Sequence, residues 1–189
     1  MRIISGKARG TKLYTLEGTN TRPTLDRVKE SVFNIIQSDI NEAIVLDLFS
    51  GSGAIGLEML SRGAKRAVLC DKSKEAFEII KKNIEKTHMK ENAEIYNLDF
   101  DACIEKVKNQ KFDIIYLDPP YETAYISKSL EKIIRYNMIE QDGTIIIETD
   151  DEQRILDEIK KIEIEIVDKR KYGRATIIFL KEKEEPRKG

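Results

Sequence analysis

From about residue 44 the chain alternates short β-rich runs with longer helical patterns, and this rhythm constrains the fold more than any other feature. The runs are AIVLDLF, RAVLCD, AEIYNLD, FDIIYLD and GTIIIET. Between them lie stretches such as SKEAFEIIKKNIEKT, where Phe77, Ile80 and Ile84 recur at helical spacing with Ile79 beside them. Such repetition predicts an α/β fold: a mostly parallel sheet with helices on both faces, because each crossover helix packs back onto the sheet. The last two extended runs, in KIEIEIVDKRKYGRATIIFLK, have no helix between them and meet around Tyr172-Gly173. They predict an antiparallel hairpin at a sheet edge.

The first 40 residues stand outside this rhythm. RIISGKARGTKLYTL reads as two short strands around Gly6–Gly10, and TLDRVKESVFNIIQ as an amphipathic helix with Leu25, Val28, Val32 and Ile35 on one face. Thr24 is the expected N-cap, with Pro23 blocking an earlier start. Residues 1–30 carry seven Lys or Arg against three acids, a balance of +4, so the net charge of −1 leaves −5 for the remainder. A basic arm on a mildly acidic body is a candidate nucleic-acid footprint; a solvated surface would look the same by charge. The expected division is a basic hairpin-and-helix extension over 1–40 and a parallel-sheet domain over 41–189.

Several chemistries are disfavoured at once. One histidine, His88, and two cysteines 33 positions apart, Cys70 and Cys103, give no metal, redox or Ser–His spacing, so no metal is expected. No apolar run approaches the roughly 20 residues a membrane helix needs, and MRIISGKARG lacks the apolar core of a secretory signal. The expectation is a cytoplasmic monomer with no membrane partner. Its chemistry must come from carboxylates, backbone groups or a cofactor.

DLFSGSGAIGLE places Gly51-Ser52-Gly53-Ala54-Ile55-Gly56 after a strand and at a helix start, and Asp71 follows about 20 residues on. Glycines let a ligand approach the backbone, and the acid can grip a ribose diol. Asp47, at the end of the first strand, opposes the pyrophosphate of a dinucleotide but suits a ligand bearing an ammonium or sulfonium. S-adenosyl-L-methionine has both, a ribose for Asp71, and no phosphate. Capping the turn is the alternative use of Asp47. The expected cofactor contacts extend to Phe49, Ser52 and Lys72. Asp99-Phe100, ending the third strand, offers an adenine an acceptor and an apolar face; N-capping the next helix by Asp99 or Asp101 is the equal alternative.

Asp118-Pro119-Pro120-Tyr121 ends the fourth strand. Each proline fixes its φ and extends the residue before it, so the Asp118 carboxylate is aimed. Prolines also lack an N–H, which leaves carbonyl acceptors with few competing donors. An acid beside such a carbonyl clamps an NH₂ group, and Tyr121 adds a stacking face for a base, worth about 1–3 kcal/mol. A strand-ending turn is the bland alternative. Acids at four successive strand ends (Asp47, Asp71, Asp99, Asp118) favour the functional one.

On these residues the chain resembles the class I S-adenosylmethionine-dependent methyltransferases that modify exocyclic amines or amide nitrogens. RIISGKARG followed by TRPTLDRVKESVFNII, with the late KYGRATIIFLK, is similar to the bacterial 16S ribosomal RNA guanine-N2 methyltransferases. The resemblance implies a seven-stranded Rossmann-like methyltransferase fold and methylation of one guanine N2 in small-subunit ribosomal RNA, in an assembled or assembling 30S particle. It implies cofactor contacts at Asp47, Gly51, Gly53, Asp71, Asp99 and Phe100, and base contacts at Asp118 through Tyr121. RNA contacts fall at Lys7, Arg9, Arg22, Pro23, Thr24 and Arg27. Asp71 is shorter than the glutamate expected at that position. The rival readings are a methyltransferase for adenine amines or protein glutamine, and a non-catalytic RNA-binding assembly factor.

Overall fold

The computed structural model describes residues 1–16, 23–120 and 124–183, with 23–27 as helical backbone only. Arg22 and Tyr121 therefore lie outside the described residues, as do the side chains of Pro23, Thr24 and Arg27. The strands are β1 (Ile44–Asp47), β2 (Arg66–Cys70), β3 (Ala93–Tyr96), β4 (Phe112–Leu117), β5 (Ile139–Thr149), β6 (Ile164–Tyr172) and β7 (Ala175–Glu182). They form one sheet in the order β3-β2-β1-β4-β5-β7-β6. β1 to β5 pair in parallel, and β7 enters antiparallel between β5 and β6. The order reverses between β1 and β4, which opens a crevice at the carboxyl ends of those strands.

The helices are α1 (Pro23–Ile35), α2 (Gln37–Ile40), α3 (Ala54–Ser61), α4 (Lys74–Thr87), α5 (Phe100–Val107), α6 (Tyr125–Arg135) and α7 (Glu152–Ile159). Residues of α1, α3 and α4 bury one sheet face through Val28, Val32, Leu57, Leu60, Ile80 and Ile84. Those of α5 to α7 bury the other through Ile104, Val107, Leu130, Ile133, Ile155 and Ile159. In α4, Ser73 is the N-cap and accepts from the Ala76 amide at 3.3 Å. Among the described residues no helix is long and apolar enough to cross a membrane, and no group of three or more His, Cys, Asp or Glu could hold a metal ion. Cys70 and Cys103 are buried and free.

Two local expectations change. α1 begins at Pro23, so Thr24 sits inside the first turn and does not cap it. Proline suits a first helical position, because the N–H it lacks would have no partner there. The N-terminal arm makes one antiparallel bridge, Arg2 with Lys12, in place of two strands. Its hairpin path is held by Ile3 N–H to Thr11 O at 3.0 Å and Leu13 N–H to Met1 O at 3.0 Å.

What holds the arm is a buried acid on α3. Glu58 is fully buried and accepts from the Ile4 amide at 2.8 Å, the Ser5 amide at 3.0 Å, Lys29 Nζ at 3.1 Å and Arg62 Nε at 2.8 Å. Two N–H donors and two cations satisfy the carboxylate where water cannot. One turn further, Ser61 O accepts from the Lys7 amide at 2.8 Å and Ser61 Oγ from the Ala8 amide at 2.9 Å. The chain comes so close at Gly6 that a Cβ there would lie 1.7 Å from Ser61 O, so only glycine fits. Removing the Glu58 charge strands Lys29 in the interior. Glu58→Gln is expected to lose about 3–5 kcal/mol in urea unfolding, with faster proteolytic cutting in residues 1–16.

Candidate active site

β1, β4 and β5 are neighbours, and Asp47 is level with Tyr116. The pairing Leu117–Ile147 puts the next residues, Asp118 and Glu148, level with each other. Tyr116 and Ile146 lie in the core on the α1 side, and side chains alternate along a strand, so Asp118 and Glu148 face the same way. Three acids thus gather on one face at the carboxyl edge of the sheet.

Two cavities meet there. The smaller, about 250 Å³, lies against α1 and is lined by Met1, Val28, Lys29, Asp47, Tyr116 and Glu148 among others. The larger, about 710 Å³, spreads over the ends of β1 to β3 and is lined by Gly51, Asp71, Lys72, Asp99, Phe100 and Tyr125 among others. Leu16, Phe49, Gly51 and Asp118 line both. Pro119 and Pro120 line the larger one, Pro119 buried and Pro120 exposed.

The loop after β1 is locked from both sides. Ser50 Oγ donates to Asp47 O at 2.6 Å and accepts from the Cys70 amide at 2.9 Å. Gly51, at φ 54°, turns its N–H onto Asp71 Oδ2 at 2.9 Å, and the Ser73 amide donates to Asp71 Oδ1 at 2.9 Å. That pair of bonds fixes the shorter acid at the cavity wall. Ser52 O accepts from Asn83 Nδ2 at 2.9 Å, and Gly53 opens α3. A Cβ at Gly56 would come within 2.8 Å of Leu69, so this glycine lets α3 lie close on β2.

Phe49, Phe100 and Tyr125 form an aromatic wall: Phe100 and Tyr125 have centroids 4.8 Å apart, and Phe49 stacks on Tyr125 at 6.1 Å. Lys72 Nζ stands 5.7 Å over the Tyr125 ring. Asp99 does cap α5, accepting from the Ala102 amide at 2.8 Å, and its side chain also lines the larger cavity. Asp101 pairs with Lys132 at 2.6 Å. This donor set fits S-adenosylmethionine: an acid for a ribose, an apolar aromatic face for a purine, and carboxylates for positive charge.

Electrostatics sharpen the acid end. Asp47 is buried, and desolvation raises its carboxyl from 3.8 to about 7, with the Asp71 charge adding to it and the Gly56 amide, at 3.1 Å, opposing it. Asp118 is exposed and lines both cavities. Burial, then the charges of Glu148, Asp47 and Asp150, push its carboxyl well above the usual range. Cavity solvent moderates the burial share, so the crowding of like charges carries that direction. Burial raises Glu148 as well, while the Tyr116 hydroxyl, donating to Glu148 Oε2 at 2.6 Å, opposes it.

Glu148, Tyr116 and Tyr125 were not among the residues singled out from sequence. Tyr125 lies four positions past Tyr121 and could have been noticed as a second aromatic; Glu148 emerges only once β5 is set beside β4. Lys7 and Arg9 are exposed at the arm's turn, which docks on the far end of α3. They stand about 12 Å, one eight-residue helix, from the cavities.

A family model described as "Conserved hypothetical protein 95" matches residues 1–181. The chain belongs to that family. YlbH of Bacillus subtilis strain 168 is 38% identical over 154 residues, covering 80% of this chain and 84% of that protein. The Haemophilus influenzae protein named Ribosomal RNA small subunit methyltransferase D is 35% identical over 158 residues, 82% of each chain. The solved structure of Escherichia coli yhhF superposes with a TM-score of 0.80 at 25% identity, covering 97% of this chain and 99% of that one. The sheet order, the hairpin and the neighbours make this a class I methyltransferase fold, and the family one of ribosomal RNA methyltransferases.

Asp47 gives a pH signature. Its folded carboxyl is raised, so its contribution to stability is complete below about pH 4 and is lost as pH rises through about 7. The span amounts to about 4 kcal/mol at most. Without ligand, Asp47→Asn is expected to unfold at a higher temperature than the parent at pH 8 and at a similar temperature at pH 4, read by thermal scans. Equal stability gains at both pH values would show that Asp47 is not held protonated.

Proposed function

We propose that this protein is an S-adenosylmethionine-dependent methyltransferase acting on the exocyclic N2 amine of a guanine in small-subunit ribosomal RNA, in an assembled or assembling 30S particle. The observation that carries the reading is the lining where the two cavities meet. Asp118 makes no hydrogen bond among the described residues, Glu148 Oε1 is likewise open, and the Tyr116 hydroxyl already spends its hydrogen on Glu148 Oε2. Lys29 is engaged with Glu58 and with Arg2 O at 3.3 Å. The acids free to meet a base there are Asp118 and Glu148, which accept when ionised.

A guanine presents N1–H beside its N2 amine, so donors stand side by side on that edge. Adenine and cytosine place a ring-nitrogen lone pair next to their amine, and a carboxylate repels it. A pair of ionised carboxylates thus favours guanine over both. Asp118 and the Pro119 carbonyl accept from the two amine hydrogens, while Glu148 takes N1–H.

Bound in the larger cavity, the cofactor supplies an electrophilic methyl group. Gly51, Asp71 and the aromatic wall hold its nucleoside part, and Asp47 with its neighbours balances its positive charge. Asp118 stabilises positive charge developing on the amine nitrogen and then takes the proton, for which its raised affinity is suited. Tyr121 stacks on the base, and Arg22 and Arg27, with Pro23 and Thr24, contact the RNA.

The direct test incubates the protein and tritiated S-adenosylmethionine with naked small-subunit rRNA, small subunits, DNA and a protein extract. N2-methylguanosine from rRNA or small subunits is the expected product. N6-methyladenosine or methylated glutamine would hand the assignment to those substrates. Asp118→Ala is expected to lower kcat about 10²–10³-fold while equilibrium dialysis shows cofactor binding retained. For Glu148→Gln, kcat/KM on the RNA is expected to drop about 10–100-fold. An unchanged kcat/KM would remove Glu148 from base recognition.

A further inference from the structure

The acids of the cleft leave open which charges meet an RNA backbone there. Lys7 and Arg9 stand at the far end of α3. Among the described residues, a cationic segment that the topology brings to the edge where the cavities open is the turn of the β6–β7 hairpin. Residues 168–174, DKRKYGR, hold four cations (Lys169, Arg170, Lys171 and Arg174) and one acid, Asp168.

Register fixes the position. Asp118 is level with Glu148, Glu148 pairs with Ile177, and Ile177 pairs with Arg170. Arg170 thus lies in the same row as Asp118, three strands away, or about 14 Å at the usual spacing. Lys171 is level with Thr149, the last residue of β5, and Tyr172, Gly173 and Arg174 continue beyond it. They rise from the edge where the cavities open.

The tip is also stiff. Tyr172 pairs with Ala175, leaving a two-residue turn, and Gly173 takes φ 63° at its first position, as a hairpin turn of type II′ requires. Tyr172 packs half-buried against the core on the α1 side and anchors the turn. On the opposite face Lys169 bonds Glu152 of α7, while Arg170, on the same face as Tyr172, pairs through Nε with Asp168 at 2.9 Å. Lys171 is exposed near the Glu152 charge, and Arg174 is exposed with no ion pair or hydrogen bond among the described residues.

We propose that this turn is an RNA-docking surface, with Lys171 and Arg174 binding backbone phosphates of the strand that carries the target nucleotide. The proposal rests on the reading of the substrate as RNA. Charge complementarity selects the occupant: the cavities carry acids that repel phosphates, while the turn attracts them about 14 Å to one side. The base can then enter the acidic cleft while its backbone is held outside it. Phosphate contacts of this kind position the strand and read no sequence.

The test uses the full chain and the double variant Lys171→Ala/Arg174→Ala, neither residue belonging to the cleft. Binding to protein-free small-subunit rRNA and to 30S particles is measured between 50 and 200 mM salt, and methyl transfer is measured alongside. The expected result is a Kd raised about 5–10-fold at the lower salt, and a slope of log K against log salt smaller by about 1.4, two contacts at about 0.7 each for a single strand. KM for RNA rises while kcat and cofactor affinity hold. An unchanged Kd and slope overturn the proposal. So does an effect confined to 30S particles, which would put a ribosomal protein on the turn. If the parent protein transfers no methyl group to RNA but the binding slope still changes, the proposed reaction fails and the docking surface stands.

Discussion

A single carboxylate with no access to water ties the N-terminal arm and α1 to α3. Glu58 belongs to α3, the helix that follows the glycine loop, yet its bonds reach the first residues of the arm and the middle of α1. Hydrophobic packing alone would let α1 slide on the sheet face, since Val28, Val32 and Phe33 meet a surface of interchangeable aliphatic side chains. The charge fixes the register. Because α1 and the arm wall the smaller cavity through Met1, Val28 and Lys29, the shape of that cavity follows from an ion pair at its rear.

The second organising constraint is repulsion. Asp47, Asp118 and Glu148 crowd one face of three adjacent strands, and every shift among them is upward. Such an arrangement destabilises the empty fold and is relieved when a positive charge or a row of hydrogen-bond donors arrives. Strain of this sort is tolerable only where function uses it. The Tyr116 hydroxyl steadies Glu148 without adding a free donor, which keeps the wall chemically uniform.

Much of this was legible in the sequence, because period and punctuation are local. The alternation of runs marked all seven strands, and acids at strand ends marked Asp47, Asp71 and Asp118. Misreadings arose where geometry was not local. Thr24 looked like a cap, but Pro23 itself takes the first helical position. The arm looked like two strands, but it makes a single bridge, Arg2 with Lys12. Glu148 carried no motif, and only the pairing of β5 with β4 sets it beside Asp118.

The sheet order has a kinetic corollary. β7 lies between β5 and β6, so β6 is made before the only strand that can join it to the sheet. Until Ala175–Glu182 leave the ribosome, β5 presents an unpaired edge with Ile145, Ile146 and Ile147 along it, an invitation to pair with another chain. The hairpin covers that edge when β7 docks on β5. Docking of β7 thus closes the β5 edge and sets the β6–β7 turn in place as one event.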